Sequence, residues 1–223
     1  MTDRPILFSA PMVRALLAGR KTQTRRIVKG VGNDNCLPLK SPTKTKMGIS
    51  THVIDAPEHP HLLPVRAAVG DRLWVREAHA MLPRLAYRMS IGTGTIDQRE
   101  HPTDGYSAAV FREGFDRSGR LQWRPSIHMP RWASRCTLTV TDVRVQQLQD
   151  ISAGDSIEEG VECATCVVMG KSACNRKGCF ASIAAYRELW NAINGESAWD
   201  KNPWVAAYSF TVHQGNIDQL VAA

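Results

Sequence analysis

Short strand-like segments, separated by long polar stretches, limit the folds that this chain can adopt. Residues 136–141 are the clearest strand, because Cys136, Leu138 and Val140 alternate with threonines. A last strand is predicted over residues 204–213, where apolar side chains recur at every second position. The regular succession of strands and helices that builds a doubly wound sheet is missing. We therefore predict an α+β fold, a small mixed β-barrel with flanking short helices and long loop insertions.

Three helices are predicted from their capping residues and apolar faces. The first begins after Ser9 and stops at Gly19, because glycine adopts the left-handed conformation readily. The second is a short helix that Ser152 and Asp155 open as a variant capping box and that Gly160 closes. The third has an apolar face formed by Phe180, Ile183, Tyr186 or Arg187, Trp190 and Ile193.

The length of 223 residues suits a single domain, residues 1–223, that carries insertions. A strand is predicted over residues 72–79, and Asp142 is expected to bend the strand that begins at residue 136. Three stretches have no sustained periodicity and are interpreted as loop insertions: residues 29–65, 80–105 and the cysteine-rich 161–180.

A basic motif follows the first helix directly, GRKTQTRR at residues 19–26. A threonine hydroxyl is a poor nucleophile at neutral pH, but a lysine that burial deprives of its proton can serve as its base. Lys21 and Thr24 are close enough in sequence, although side chains three apart on a straight strand point to opposite faces. Their convergence requires a turn or bulge after Gly19. In the alternative interpretation, the basic side chains simply contact solvent or phosphate.

Five segments occur in an order that is typical of one family. They are ILFSAPMVRALLAGRKTQTRR, VGDRLWVRE, SIHMPRWASRCTL, DISAGDSIEEG and WDKNPWV. Together they resemble the ASCH domain proteins, especially the longer members found in phages and prophages. The resemblance implies a PUA-like fold, which is a small β-barrel with flanking helices often associated with RNA.

The resemblance also implies an activity. Small bacterial members of the family hydrolyse N4-acetylcytidine to cytidine and acetate with a Lys, Thr and Glu set. Their GRKTxTxR motif matches the basic motif and implies Lys21 as the base and Thr24 as the nucleophile. The third role is carried to Glu159 in the second helix, with Glu158 as the neighbouring alternative. No cofactor is implied for catalysis.

Other side chains are expected to bind the substrate, a small nucleoside. Arg20, or backbone N–H groups near the turn, can hold the oxyanion, and Arg26 is a further basic residue of the motif. Trp74 can stack on a base, and Glu77 is a reserve carboxylate. The alternative function is an RNA-binding module of the same fold, with or without ribonuclease activity.

A cluster of cysteines indicates a metal site. Four of the six cysteines lie in one short stretch, at Cys163, Cys166, Cys174 and Cys179. Their spacing is C-x2-C, seven residues, then C-x4-C, and four thiolates can close a tetrahedral zinc site. Such a zinc would be structural, because no coordination position remains open for catalysis. Free cysteines or a redox pair are the alternative.

The formal charge of +7 favours anionic partners such as nucleic acid or nucleotides. No apolar run approaches the ~18 residues needed to cross a bilayer, and neither end resembles a signal segment. We therefore expect no membrane association and a cytoplasmic location, in a bacterial host if a phage encodes the chain.

Overall fold

The computed structural model describes residues 1–28, 43–45, 48–52, 62–86, 96–118, 120–162 and 180–220. The chain divides into two compact units. The first unit comprises Met1–Ala18, Asp71–Thr139 and Val212–Ala223. The second unit comprises Gly19–Gly70 and Val140–Thr211. The assignment of the whole chain to one domain stays a prediction.

Helices in the described part of the chain begin and end near the capping residues. They are α1 at Ala10–Leu17, α2 at Ala153–Glu158 and α3 at Phe180–Asn194. Both bonds of a capping box open α2, since the Ser152 hydroxyl accepts from the Asp155 backbone and the Asp155 carboxylate accepts from the Ser152 backbone. Gly19 has a φ of 68°, the left-handed conformation predicted for the residue that stops α1.

Strands dominate the described residues. They are β1 Asp3–Leu7, β2 Gln23–Ile27, β3 Thr43–Thr45, β4 Gly48–His52, β5 Leu62–Pro64, β6 Arg72–Arg76, β7 His79–Pro83, β8 Gln98–Glu100, β9 Ser107–Phe111, β10 Cys136–Gln147 and β11 Trp204–Gln214. Their order in the largest sheet is β1–β6–β10–β11–β2. The mixed α and β class is therefore confirmed, and within the described ranges this order does not close into a barrel.

The first unit contains parallel and antiparallel pairing. β1 pairs in parallel with β6, and β6 pairs antiparallel with the start of β10. A second, antiparallel sheet has the order β7–β9–β8. Next to it lies a buried apolar cluster of Ala109, Phe111, Met129 and Ala133.

The second unit holds β2 against β11 in antiparallel register, with Thr24 opposite Tyr208. α2 contacts both β2 and α3. An apolar cluster packs between these elements and consists of Leu148, Ile151, Tyr186, Trp190, Ala198, Trp199 and Val205. The start of β2 is therefore held beside α2.

Two stretches that the sequence presents as loops contain strands, whereas their status as insertions stays a prediction. The predicted loop over residues 29–65 contains the antiparallel sheet β3–β4–β5, and the predicted insertion over 80–105 contains most of β7 and all of β8. Strands this short show too few alternations to be recognised by their pattern. β10 continues through the exposed Asp142, where the buried positions change from Cys136, Leu138 and Val140 to Val143 and Val145. The bend expected at Asp142 stays a prediction.

The apolar face of α3 is narrower than predicted. Tyr186 and Trp190 are buried, whereas Ile193 is exposed near the end of the helix. None of the described helices is both long and apolar enough to cross a membrane.

Candidate active site

The basic motif enters β2 through a short link that both neighbouring elements hold in place. The Thr22 backbone N–H donates to the Glu158 carbonyl at 2.8 Å, and the Phe210 N–H donates to the Thr22 carbonyl at 2.9 Å. Gly19 ends α1 in the left-handed conformation. The turn that would bring Lys21 and Thr24 together stays a prediction.

Lys21 and Glu159 form a buried ion pair. The Lys21 Nζ lies 2.7 Å from Glu159 Oε2 and donates a second bond, at 2.8 Å, to the Glu159 backbone carbonyl. The exposed fraction is 0% for Lys21 and 3% for Glu159. Charges are costly to bury unless they are paired and hydrogen-bonded, and this pair meets both conditions.

The position of Lys21 follows from the end of α2, whose last carbonyls lack partners within the helix. Three successive residues of the link supply the donors: Arg20 to Gly160, Lys21 to Glu159 and Thr22 to Glu158. A cation at a helix C-terminus is also favoured by the helix dipole. Lys21 therefore has a structural role in addition to any chemical one.

The protonation of Lys21 is set by opposing effects. Burial lowers its pKa below the usual 10.5, the Glu159 carboxylate raises it, and Arg26 and Arg25 lower it again. Burial, the largest of these effects, wins, so the pKa is lowered. An amine in this setting loses its proton more readily than a surface lysine.

Glu159 has further donors besides Lys21. Its Oε1 accepts from Arg25 Nη1 at 3.2 Å and from the Tyr186 hydroxyl at 3.4 Å. Arg25 also lies against Asp155, with Nη2 3.1 Å from Oδ2. The carboxylate is thus fixed from both sides.

Thr24 lies within β2 and is 1% exposed. Its Oγ1 is buried and has no hydrogen-bond partner among the described residues, so it makes no bond to Lys21. On a strand Thr24 lies on the opposite face from Gln23 and Arg25, whereas Lys21 precedes the strand. The structure therefore brings Lys21 to Glu159 but does not join Thr24 to either.

The other arginines of the motif, Arg20 and Arg26, are both partly exposed. The Arg20 guanidinium lies 3.0 Å from the Glu162 carboxylate. Burial lowers the pKa of Arg26, and nearby Glu159 opposes this effect. Glu158, the alternative third residue, accepts a bond from Gln23 Nε2 at 3.2 Å.

The predicted substrate residues Trp74 and Glu77 belong to the first unit. The Trp74 ring is buried, and the Arg76 guanidinium lies over it at 4.6 Å from the centroid. Glu77 forms a bidentate pair with Arg135, through two bonds of 2.8 Å. Burial raises the pKa of Glu77, and Arg135 opposes that shift. Both side chains therefore have structural partners within their own unit.

Three residues of the site were not singled out from the sequence: Arg25, Tyr186 and Gln23. Gln23 bridges the network, since its Nε2 donates to Asp155 Oδ1 at 3.1 Å. A usable signal was present in the spacing of Asp155 and Glu159, which puts two carboxylates four residues apart on one helix side. In the structure Arg25 of the facing strand β2 lies against both carboxylates.

The cysteine cluster at Cys163, Cys166, Cys174 and Cys179 lies outside the described residues. Within the described ranges, no group of three or more His, Cys, Asp or Glu side chains could hold a metal ion. Cys136 lies in the described part of the chain, and burial raises its pKa to about 12. Its thiol therefore stays protonated and unreactive at neutral pH.

Comparisons of the chain with protein-family models, curated proteins and solved structures gave no match.

Proposed function

We propose that the protein is an amidohydrolase that removes an acyl group from the exocyclic N4 of cytidine nucleosides, on a PUA-like scaffold. The observation that carries the proposal is the buried Lys21–Glu159 pair, which lies just before a strand whose Thr24 hydroxyl is also buried. Titratable groups that burial perturbs in this way are enriched at functional sites. The motif resemblance gives these same residues their roles.

Burial also argues against the simplest alternative, a phosphate-gripping surface. Phosphate contacts require basic side chains that reach solvent. Lys21 and Arg25 are buried and pair with Glu159 and Asp155. Two of the motif's four basic side chains are therefore held by carboxylates and do not reach a polyanion.

The proposed chemistry proceeds through an acyl-enzyme. Neutral Lys21 takes the proton of the Thr24 hydroxyl, and the Thr24 oxygen attacks the amide carbonyl carbon. The tetrahedral intermediate collapses as the C–N bond breaks, and Lys21 returns the proton to the leaving N4. Water then attacks the Thr24 ester, Lys21 again moves the proton, and the carboxylic acid leaves.

The remaining residues support these steps. Glu159 orients Lys21 and stabilises the ammonium that forms, and Arg20 is the candidate donor to the oxyanion. Proton transfer needs either a direct hydrogen bond of about 3 Å between Lys21 Nζ and Thr24 Oγ1, or one water that bonds to both atoms. We propose that this contact forms when substrate binds, since catalytic bonds often tighten only in the substrate complex.

The test is an assay of cytidine release from N4-acetylcytidine by the purified chain. Thr24→Ala should abolish turnover, whereas Thr211→Ala, an exposed threonine on β11, should retain it. No turnover across several N4-acylated cytosines, or full turnover by Thr24→Ala, would contradict the proposal.

We further propose that the four clustered cysteines bind one structural zinc ion. Elemental analysis should find about one zinc per chain, because a four-thiolate site takes a single ion. Cys163→Ser and Cys174→Ser should each lower the zinc content, whereas Cys136→Ser should not. Equal zinc content in all three variants would place the metal elsewhere.

A further inference from the structure

The Glu159 carboxylate is divided between two buried cations. Lys21 Nζ takes Oε2 at 2.7 Å, and Arg25 Nη1 takes Oε1 at 3.2 Å. The Tyr186 hydroxyl donates to Oε1 as well, at 3.4 Å. The single negative charge of Glu159 is therefore shared between the Lys21 ammonium and the Arg25 guanidinium.

Arg25 is held in this position from other directions. Its Nη1 donates to Gln23 Oε1 at 2.6 Å, and its Nη2 lies 3.1 Å from Asp155 Oδ2. Asp155 is itself anchored by Arg144, at 3.1 Å. These contacts hold the guanidinium of Arg25 beside Glu159.

We infer that Arg25 is a positioning residue of the active site. Its guanidinium occupies one of the two oxygens of the Glu159 carboxylate and thereby favours the neutral amine of Lys21. A catalytic role for Arg25 rests on the proposed function. Its effect on the charge of Lys21 rests only on the contacts of Arg25.

The charges around Lys21 support this role. Glu159 faces it from the end of α2, Arg25 and Arg26 act on it from β2, and Tyr186 on α3 reaches Glu159 rather than Lys21. Burial lowers the pKa of Lys21, Glu159 raises it, and the two arginines lower it further. Removing Arg25 would remove its repulsion of the Lys21 ammonium, and the Glu159 carboxylate would then interact with Lys21 alone of these two cations. Both changes favour the protonated amine.

A purely structural role for Arg25 makes a different prediction. If Arg25 only joins β2 to α2, its loss lowers stability and leaves the titration of Lys21 in place. The decisive readout is therefore the titration of the Lys21 amine, which does not depend on substrate or turnover.

The experiment follows the Lys21 Cε signal by NMR in protein labelled with ¹³C-lysine, across neutral and alkaline pH. Lys21→Arg, which lacks the signal, assigns it. In Arg25→Gln the titration midpoint should rise by about one unit, which lowers the neutral fraction at a given pH about tenfold. Arg25→Lys keeps the positive charge and should give a smaller rise.

A midpoint that stays in place or falls in folded Arg25→Gln would overturn the inference. If circular dichroism shows that this variant does not fold, Arg25→Lys becomes the test, because it keeps a cation between Asp155 and Glu159. The smaller rise is then expected, and its absence in folded Arg25→Lys overturns the inference.

Turnover of N4-acetylcytidine is measured on the same samples. If the midpoint rises in Arg25→Gln but the wild type shows no turnover, the electrostatic role of Arg25 is retained and the proposed function is contradicted. With turnover, Arg25→Gln should lower kcat at neutral pH and recover part of it as the pH rises, while KM changes little.

Discussion

Thr24 carries a buried hydroxyl that finds no hydrogen-bond partner among the residues that the structure describes. An unsatisfied buried polar group costs about 1–3 kcal/mol. Thr24→Val keeps the shape and removes the hydroxyl, so the free energy of unfolding should rise by about 1 kcal/mol while hydrolysis is lost. Urea unfolding measures the first effect and the nucleoside assay the second.

Thr137 on β10 is the matched control, because it is equally buried and its Oγ1 donates to the Gly215 carbonyl at 3.0 Å. Thr137→Val should lower the free energy of unfolding by about 1 kcal/mol. If Thr24→Val destabilises the protein as much as Thr137→Val does, the Thr24 hydroxyl has a stabilising partner after all.

The lowered pKa of Lys21 links stability to alkaline pH. Between that pKa and the usual 10.5, the unfolded chain binds more protons than the folded one. The free energy of unfolding should therefore rise with pH across this window, relative to Lys21→Arg, whose guanidinium stays charged there. Urea unfolding at several pH values measures the difference between the two proteins. A difference that does not change with pH would mean that Lys21 has its ordinary pKa in the fold.

The sequence predicts individual site residues best where a motif names them. The resemblance named Lys21 and Glu159, and the structure places them in contact, while their catalytic roles stay predictions. Arg25 and Tyr186 could not be derived, because the approach of α3 and β2 to Glu159 is a tertiary arrangement that no local pattern encodes.

At the scale of elements, the six-residue α2 carries Asp155, and Glu159 directly follows it as the C-cap. Ser152→Ala removes the cap and should lower the free energy of unfolding by about 1 kcal/mol. Because Asp155 and Glu159 leave their positions when α2 frays, turnover should fall in the same variant. Chemical unfolding and the nucleoside assay measure the two effects.

Ser9 is the control for this change, since it precedes α1 but its side chain makes no capping bond. Ser9→Ala should therefore cost much less than Ser152→Ala and leave turnover intact. Equal costs for the two substitutions would mean that the capping bond of α2 contributes little to stability.

Elements were predicted well where local chemistry decides them. Capping residues located α1 and α2, and alternation located β10 and β11. β2 was not recognised as a strand, because its sequence QTRRI is polar and its stability comes from pairing with β11 and from buried ion pairs. Strands that depend on tertiary partners give no alternation signal.

At the scale of the whole molecule, the net charge of +7 makes weak binding to single-stranded RNA expected. Its affinity should fall steeply with added salt, whereas hydrolysis of a neutral nucleoside should hardly change. Because Arg25 is buried, Arg25→Gln should leave the RNA affinity near that of the wild type. Fluorescence anisotropy at several salt concentrations measures the affinity. Salt-sensitive hydrolysis, or RNA binding that Arg25→Gln abolishes, would favour an RNA-binding function.

The three residues that link Gly19 to β2, Arg20, Lys21 and Thr22, each donate to one carbonyl at the end of α2. A residue gained or lost in this link would therefore move these donors away from their carbonyls. Distant relatives can therefore replace most loops freely but must keep this count. Relatives are therefore expected to keep two features: a link without gaps between the residue equivalent to Gly19 and the strand equivalent to β2, and a glutamate at the position of Glu159, directly after a short capped helix.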